Sequence, residues 1–193
     1  MKVLLTGATG LLGSHILEQG LQQGIHFILP YRKVGKRSYL NTVKDHNQIT
    51  LIPFDFTDNL NMLTLESIDT VINAAAFVSP FEKDINQMNF INMEFPKLLY
   101  QKSVEYKVKY FCQISSNSTF GSMDKSKIIT EEDIIAPRQT AYAQSKLNFD
   151  TWLQKQNSIP HGAIHPAYML DMYDSKPSSG ALLLALKMKR FMF

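Results

Sequence analysis

The sequence predicts an α/β fold, a doubly wound parallel sheet of the Rossmann type with helices on both faces, and three observations predict it. Short β-rich apolar runs alternate with longer helix-like segments. No period repeats between them, which fits βα units around a parallel sheet. The first strand-like run leads straight into a glycine-rich turn that opens a helix.

Taken in order, strands are expected at residues 2–6, 25–30, 49–54, 70–75, 107–115 and 161–168, with helices at 11–23, 86–106 and 140–156. The helix over 140–156 carries Tyr142, Leu147, Phe149 and Trp152 on a partly amphipathic surface. Crossovers of this length favour right-handed βαβ units. A turn-rich stretch follows, from Asp171 through Tyr173, Asp174, Lys176 and Pro177 to Gly180, and then a helical run at 181–190. That run reads as a core-packing helix whose partners are missing, in preference to a basic membrane-surface helix. The organisation expected is a nucleotide-binding domain with the reacting groups over 1–170 and the incomplete, truncated start of a substrate-binding region over 171–193.

Composition narrows the class. A chain of 193 residues with 45% hydrophobic and 19% charged residues is ordinary globular material, which excludes disorder and a collagen-like fibre. The net charge is +3, and the one basic cluster, at 32–37, is too short for a nucleic-acid stripe. No nucleic-acid partner is expected. The single cysteine, Cys112, lies in the apolar run Tyr110-Phe111-Cys112 and reads as a buried thiol, so a cytoplasmic location is expected. The apolar run at the start is too short for a signal peptide, and no run approaches the roughly 18 apolar residues of a membrane span, so no integral membrane association is expected. No metal site is expected.

The turn after the first strand reads Thr6-Gly7-Ala8-Thr9-Gly10-Leu11-Leu12-Gly13. At this glycine content, three glycines so spaced are expected by chance about 0.02 times per chain. Gly7 permits the sharp turn, Gly10 removes a side chain where the backbone must approach a pyrophosphate, and Gly13 lets the helix lie close to the sheet. The N–H groups of the helix start then face the anion. No Lys-Ser/Thr follows the last glycine, so a dinucleotide is a better ligand than ATP. The second strand ends in Pro30-Tyr31-Arg32-Lys33 with no carboxylate to hold the ribose hydroxyls, and Arg32 can pair with a 2′-phosphate. NADP(H) is therefore favoured, with NAD(H) possible.

Tyr142 and Lys146 stand four apart on a predicted helix and share a face. Such a pair alone proves nothing, since chance supplies about 0.7 of them at this composition. Its position matters more. The fifth strand ends in Gln113-Ile114-Ser115-Ser116-Asn117-Ser118, and an α/β sheet binds its ligand beyond the carboxyl ends of its strands. A tyrosine hydroxyl ionises near pH 10, too high for a base at neutrality unless a cation stabilises the phenolate. Lys146 can supply that cation, Ser116 can polarise a carbonyl, and Tyr142 can give or take the proton while a nicotinamide carries the hydride.

These residues resemble the extended short-chain dehydrogenase/reductase superfamily and its NAD-dependent epimerase/dehydratase family, in which the three glycines, a Ser or Thr, and Tyr-x-x-x-Lys occur in this order. The resemblance covers nearly all of the chain. It implies catalytic roles for Ser116, Tyr142 and Lys146, with Ser115 and Ser118 as fallback hydroxyls. It implies cofactor contacts from Gly7, Thr9, Gly10, Leu11, Leu12, Gly13, Arg32, Asp55, Phe56, Ala74, Ala75, Ala76, Asn92, Ser115, Tyr142, Lys146 and Pro166. The stretch His165-Pro166-Ala167-Tyr168-Met169-Leu170 looks like the dihydroflavonol-4-reductase-like branch, although Asp171 stands where members commonly have glycine. Asn117 and Ser118 replace the acidic pair that nucleotide-sugar dehydratases carry, which disfavours dehydration. The implied activity is an NAD(P)-dependent oxidoreductase of a small carbonyl or alcohol substrate. The alternatives are a nucleotide-sugar epimerase and a non-catalytic cofactor-binding module or inactive fragment. A homodimer through the helices at 86–106 and 140–156 is also implied.

Overall fold

Strand β1 (Lys2–Thr6) is buried from Val3 onward, and its side chains alternate between two cores. Val3 and Leu5 join Phe27 and Leu29 of β2 (His26–Tyr31) on one face of the sheet, while Leu4 joins Ile28 on the other. Strands apolar on both faces belong to a parallel sheet covered twice by helices. The structure is a computed structural model that describes residues 1–34, 38–56, 60–120, 128, 130, 140–171 and 173–174.

The other strands are β3 (Ile49–Pro53), β4 (Thr70–Asn73), β5 (Tyr110–Ile114) and β6 (His161–Ile164). All six run parallel in the order β3-β2-β1-β4-β5-β6. The order reverses between β1 and β4, so the crevice beyond the carboxyl ends of these two strands is the topological switch point where such sheets take ligands. Helices α1 (Leu11–Gln22) and α2 (Leu40–Val43) cover the Val3 face through Leu17 and Leu40. On the Leu4 face, Phe95, Leu99 and Tyr100 of α4 (Phe95–Glu105) pack with Phe149 and Leu153 of α5 (Ala141–Leu153).

Three departures from the predicted elements have local causes. The helix expected over 86–106 is α3 (Ile85–Asn89), a π-helical turn over Phe90–Glu94, and then α4. Pro96 has no N–H and its ring crowds the carbonyl four residues back, so the turn before it widens and draws Asn92 into the interior, 1% exposed. Strand β4 stops at Asn73 because the Ala75 N–H turns aside to donate to the Thr6 hydroxyl. Strand β6 stops at Ile164, just before His165-Pro166, where a donor to the ladder is lost. Cys112 on β5 is half-buried, and burial pushes its thiol above the ordinary range.

Beyond the expected boundary at 170 the chain returns to α1. Asp171 Oδ2 lies 3.2 Å from His15 Nε2, and the Tyr173 hydroxyl donates to Glu18 Oε1 at 3.4 Å while its ring tilts against His15 and Tyr39. The helix predicted at 181–190 lies outside the described residues. Among those described, no helix is long and apolar enough to cross a membrane, and no group of three metal-ligating side chains occurs.

Candidate active site

The cradle is built by β1 and α1. Helix α1 begins at Leu11 with Gly10 as its extended N-cap residue and no side-chain cap, so the positive end of the helix faces outward from the turn. Gly7 has φ +73°, and a Cβ there would lie 2.6 Å from the backbone of Ala74. A Cβ at Gly13 would lie 2.2 Å from the Gly7 carbonyl oxygen. The chain's own packing therefore demands both glycines. Gly10 differs: its backbone is unremarkable at φ −89°, and an added Cβ would meet only the Gly7 carbonyl oxygen, at 3.4 Å. Nothing among the described residues requires glycine at position 10, so its missing side chain leaves room for something from outside. A pyrophosphate laid against a helix start needs that room, and the residues present fit a dinucleotide.

Thr9, Gly10, Leu11 and Leu12 are half-buried around this turn, and Ala74, Ala75 and Ala76 run beside it from the end of β4. At the end of β2, Arg32 Nη1 lies 3.6 Å from Asp55 Oδ2, so two residues expected to contact the cofactor pair with each other. Phe56 packs edge-on against Phe95 with ring centroids 4.6 Å apart. Asn92 spends its amide inside the protein: Oδ1 accepts from the Phe77 N–H at 2.9 Å, and Nδ2 donates to the Phe77 carbonyl and to Ser145 Oγ. It ties the segment after β4 to α5.

The hydroxyls expected at the end of β5 separate into two kinds. Ser115 is buried and donates its hydroxyl to Asp150 Oδ2. Ser116 is half-buried and caps the short 3₁₀ turn Asn117–Thr119, its Oγ accepting from the Ser118 N–H at 3.2 Å and the Ser118 hydroxyl at 2.9 Å. The Ser116 hydroxyl also lies near enough to the phenol of Tyr142 to stabilise its phenolate. Burial raises the Tyr142 phenol above its ordinary value; the neighbouring Ser116 hydroxyl opposes that rise and the charge of Asp150 adds to it. Tyr142 is therefore held as a proton donor.

Lys146 is 2% exposed, and its Nζ donates to the Ile114 carbonyl oxygen at 2.9 Å. Burial lowers it to about 8, with Asp150 opposing the fall. An ammonium at neutral pH therefore sits in the interior, one helical turn from Tyr142.

Sequence reasoning missed what connects the two halves. Thr6 Oγ1 donates to Asn73 Oδ1, Asn73 Nδ2 to Gln113 Oε1 at 2.8 Å, and Gln113 Nε2 to the Ile114 carbonyl oxygen at 2.9 Å, the atom that also receives Lys146. A buried chain of hydrogen bonds thus crosses β1, β4 and β5 from the cradle to the lysine. The signal in the sequence is a polar residue near the end of each of three apolar strands, which strand propensity does not explain.

Comparison with known proteins places this geometry. The NAD dependent epimerase/dehydratase family matches residues 3–159, and the chain belongs to that family. The protein YbjS of Escherichia coli (strain K12) is 27% identical over 135 residues, which are 68% of this chain and 39% of YbjS. CDP-abequose synthase of Salmonella muenchen is 26% identical over 124 residues, 64% of this chain and 40% of its own length. The chain thus spans about two-fifths of the length of the curated relatives it matches. Among solved structures, UDP-glucuronic acid 4-epimerase from Bacillus cereus in complex with NAD superposes with a TM-score of 0.74 at 24% identity, covering 86% of this chain and 56% of that one. That likeness confirms the Rossmann-type fold. The narrower reductase-like branch receives no comparable support.

Proposed function

We propose that this member of the family is the cofactor-binding, catalytic part of an NAD-dependent enzyme that epimerises a nucleotide-linked sugar. The observation that carries the reading is the hydroxyl pair Ser116–Tyr142 at the carboxyl end of β5, above a buried ammonium and in the same sheet crevice as a turn whose middle glycine serves no internal purpose. Gly7, Gly10, Gly13 and the first turn of α1 would hold the pyrophosphate, with Thr9, Leu11, Leu12 and Ala74 to Ala76 along its sides. Bound NAD would supply the hydride acceptor and donor. Ser116 would orient the reacting oxygen, Tyr142 would move its proton, and Lys146 would hold a positive charge beside them. Sugar oxidised and reduced again on the same cofactor leaves no net change in cofactor, which separates an epimerase from a reductase.

The test is direct. The full-length protein, given NAD and a UDP-hexose, should produce the epimer without accumulating NADH. Stoichiometric consumption of NADPH with a small carbonyl, and no epimer, would restore the reductase reading. Calorimetry of Gly10→Val should show lost NAD affinity in a folded chain.

Cofactor choice rests on Arg32. It is 56% exposed and, with Lys33, favours a 2′-phosphate, but its pairing with Asp55 places a carboxylate where that phosphate would be repelled. If the guanidinium prevails, NADPH binds about ten- to a hundredfold more tightly than NADH, and Arg32→Ala abolishes the difference. Equal affinities in both proteins would leave NAD as the cofactor.

A further inference from the structure

We propose that Asp150 is a positioning residue of this site, a buried carboxylate that holds the end of β5 and the segment after β6 to α5 and stands as a counter-charge one helical turn from Lys146. The inference deepens the reading of Tyr142 and Lys146 given above and rests on it for its functional meaning.

Tyr142, Lys146 and Asp150 follow one another at intervals of four on α5, so they form one stripe of the helix. Both Lys146 and Asp150 are 2% exposed. Two opposite charges buried one turn apart are tolerable together, whereas either alone would be an uncompensated charge in the interior. Asp150 is also fastened from outside its helix. Its Oδ2 accepts from the Ser115 hydroxyl and from His165 Nε2 at 3.0 Å, and the His165 ring lies against Phe120 with centroids 4.8 Å apart. Its Oδ1 is buried with no hydrogen-bond partner among the described residues, which is costly for a carboxylate present only for packing. The titratable and polar groups around it are Ser115 from the end of β5 and His165 from beyond β6, both hydrogen-bonded to it, with Lys146 one turn and Tyr142 two turns away on α5. Ser115 stands between Ile114, whose carbonyl receives the lysine, and Ser116, which meets the tyrosine. One carboxylate therefore fixes the backbone that presents both.

The charge of Asp150 raises the proton affinity of Lys146 and of Tyr142 alike. Removing it should lower both. Loosened packing acts differently: water reaching the site would let Lys146 rise toward the ordinary lysine value of 10.5. The sign of the lysine shift therefore separates an electrostatic role from a structural one.

The experiment follows the ¹⁵N resonance of Lys146 Nζ against pH in the whole chain, assigned by its loss in Lys146→Met, with the ¹³Cζ resonance of Tyr142 recorded in parallel. The wild-type lysine should titrate near 8. In Asp150→Asn its proton affinity should fall about tenfold or more and that of Tyr142 should fall with it, while Asp150→Glu should restore the wild-type order. An unchanged or raised lysine midpoint in a folded Asp150→Asn chain overturns the proposal. If that variant does not fold, the wild-type Asp150 carboxyl carbon decides: a step at the Lys146 midpoint supports the coupling, and a flat trace there overturns it. Neither measurement uses cofactor or substrate, so a chain that binds no NAD would refute the proposed function and leave this inference standing, and the converse holds.

Discussion

At the turn between β1 and α1 the chain makes room by leaving side chains out, whereas at the end of β5 it fills the interior with polar groups that satisfy one another. The first region is a matter of sterics. Gly7 and Gly13 are closed to any Cβ by the backbones of Ala74 and Gly7, and Gly10 alone is open. The second is a matter of charge. Lys146 and Asp150 are buried together, and the lysine's carbonyl partner is shared with a hydrogen-bond chain that begins at Thr6. The difference teaches that one site can be indifferent to pH at one end and governed by it at the other, because a missing methyl does not titrate.

The largest expected effect lies at the polar end. Tyr142→Phe removes the proton that the site moves, and turnover of the full-length protein should fall by about 10² to 10⁴ while NAD affinity measured by calorimetry stays nearly the same. Wild-type turnover in this variant would make Tyr142 a packing residue and erase the contrast.

Next comes the steric end. Gly13→Val forces side-chain atoms into the Gly7 carbonyl and should destabilise the chain by about 3 kcal/mol, the upper part of the range for overpacking, seen as a melting temperature roughly 6–12 °C lower. Gly10→Ala should cost no more than about 1 kcal/mol of stability yet weaken NAD binding about tenfold or more. Equal stability losses at the two positions would mean that Gly10, too, serves only the fold.

The smallest effect is one of slope. Lys146 is depressed from 10.5 to about 8 on folding, so between those values the unfolded chain holds a proton that the folded chain has released. The lysine's contribution to stability rises with pH across that window, and the penalty for the buried ammonium is fully present below it. Tyr142 is raised above 10, so toward the top of that window its unfolded phenol loses a proton that the folded one keeps, and it opposes the rise. Urea denaturation of Lys146→Met between about pH 7 and 10 should therefore give a flatter stability profile than wild type. Parallel profiles would place the lysine in solvent.

Much of the cradle is legible in the amino-acid order, because the reason for a glycine is local: three of them at a strand-to-helix junction state where the backbone must turn and where it must be approached. The strands are legible for a similar reason, with Val3, Leu4 and Leu5 apolar in succession as a doubly covered strand requires. The π turn before Pro96 is half legible, since proline announces a break without saying that the helix resumes. The choice among Ser115, Ser116 and Ser118 is not legible at all. Three hydroxyls in four residues look alike in sequence, and only the carboxylate across from Ser115 and the phenol across from Ser116 tell them apart.

By itself, then, the sequence determined the order of strands and helices, the phosphate-type turn, and the shared face of Tyr142 and Lys146, all of which follow from periodicity and from short-range sterics within a few residues. The tertiary structure alone decided that Asp150 faces Ser115 and His165, that Asn73 and Gln113 link the cradle to the lysine, and that Arg32 meets Asp55. The reason is physical. What a buried polar group is worth depends on what stands opposite it, and the strand order β3-β2-β1-β4-β5-β6 sets those oppositions between residues tens of positions apart.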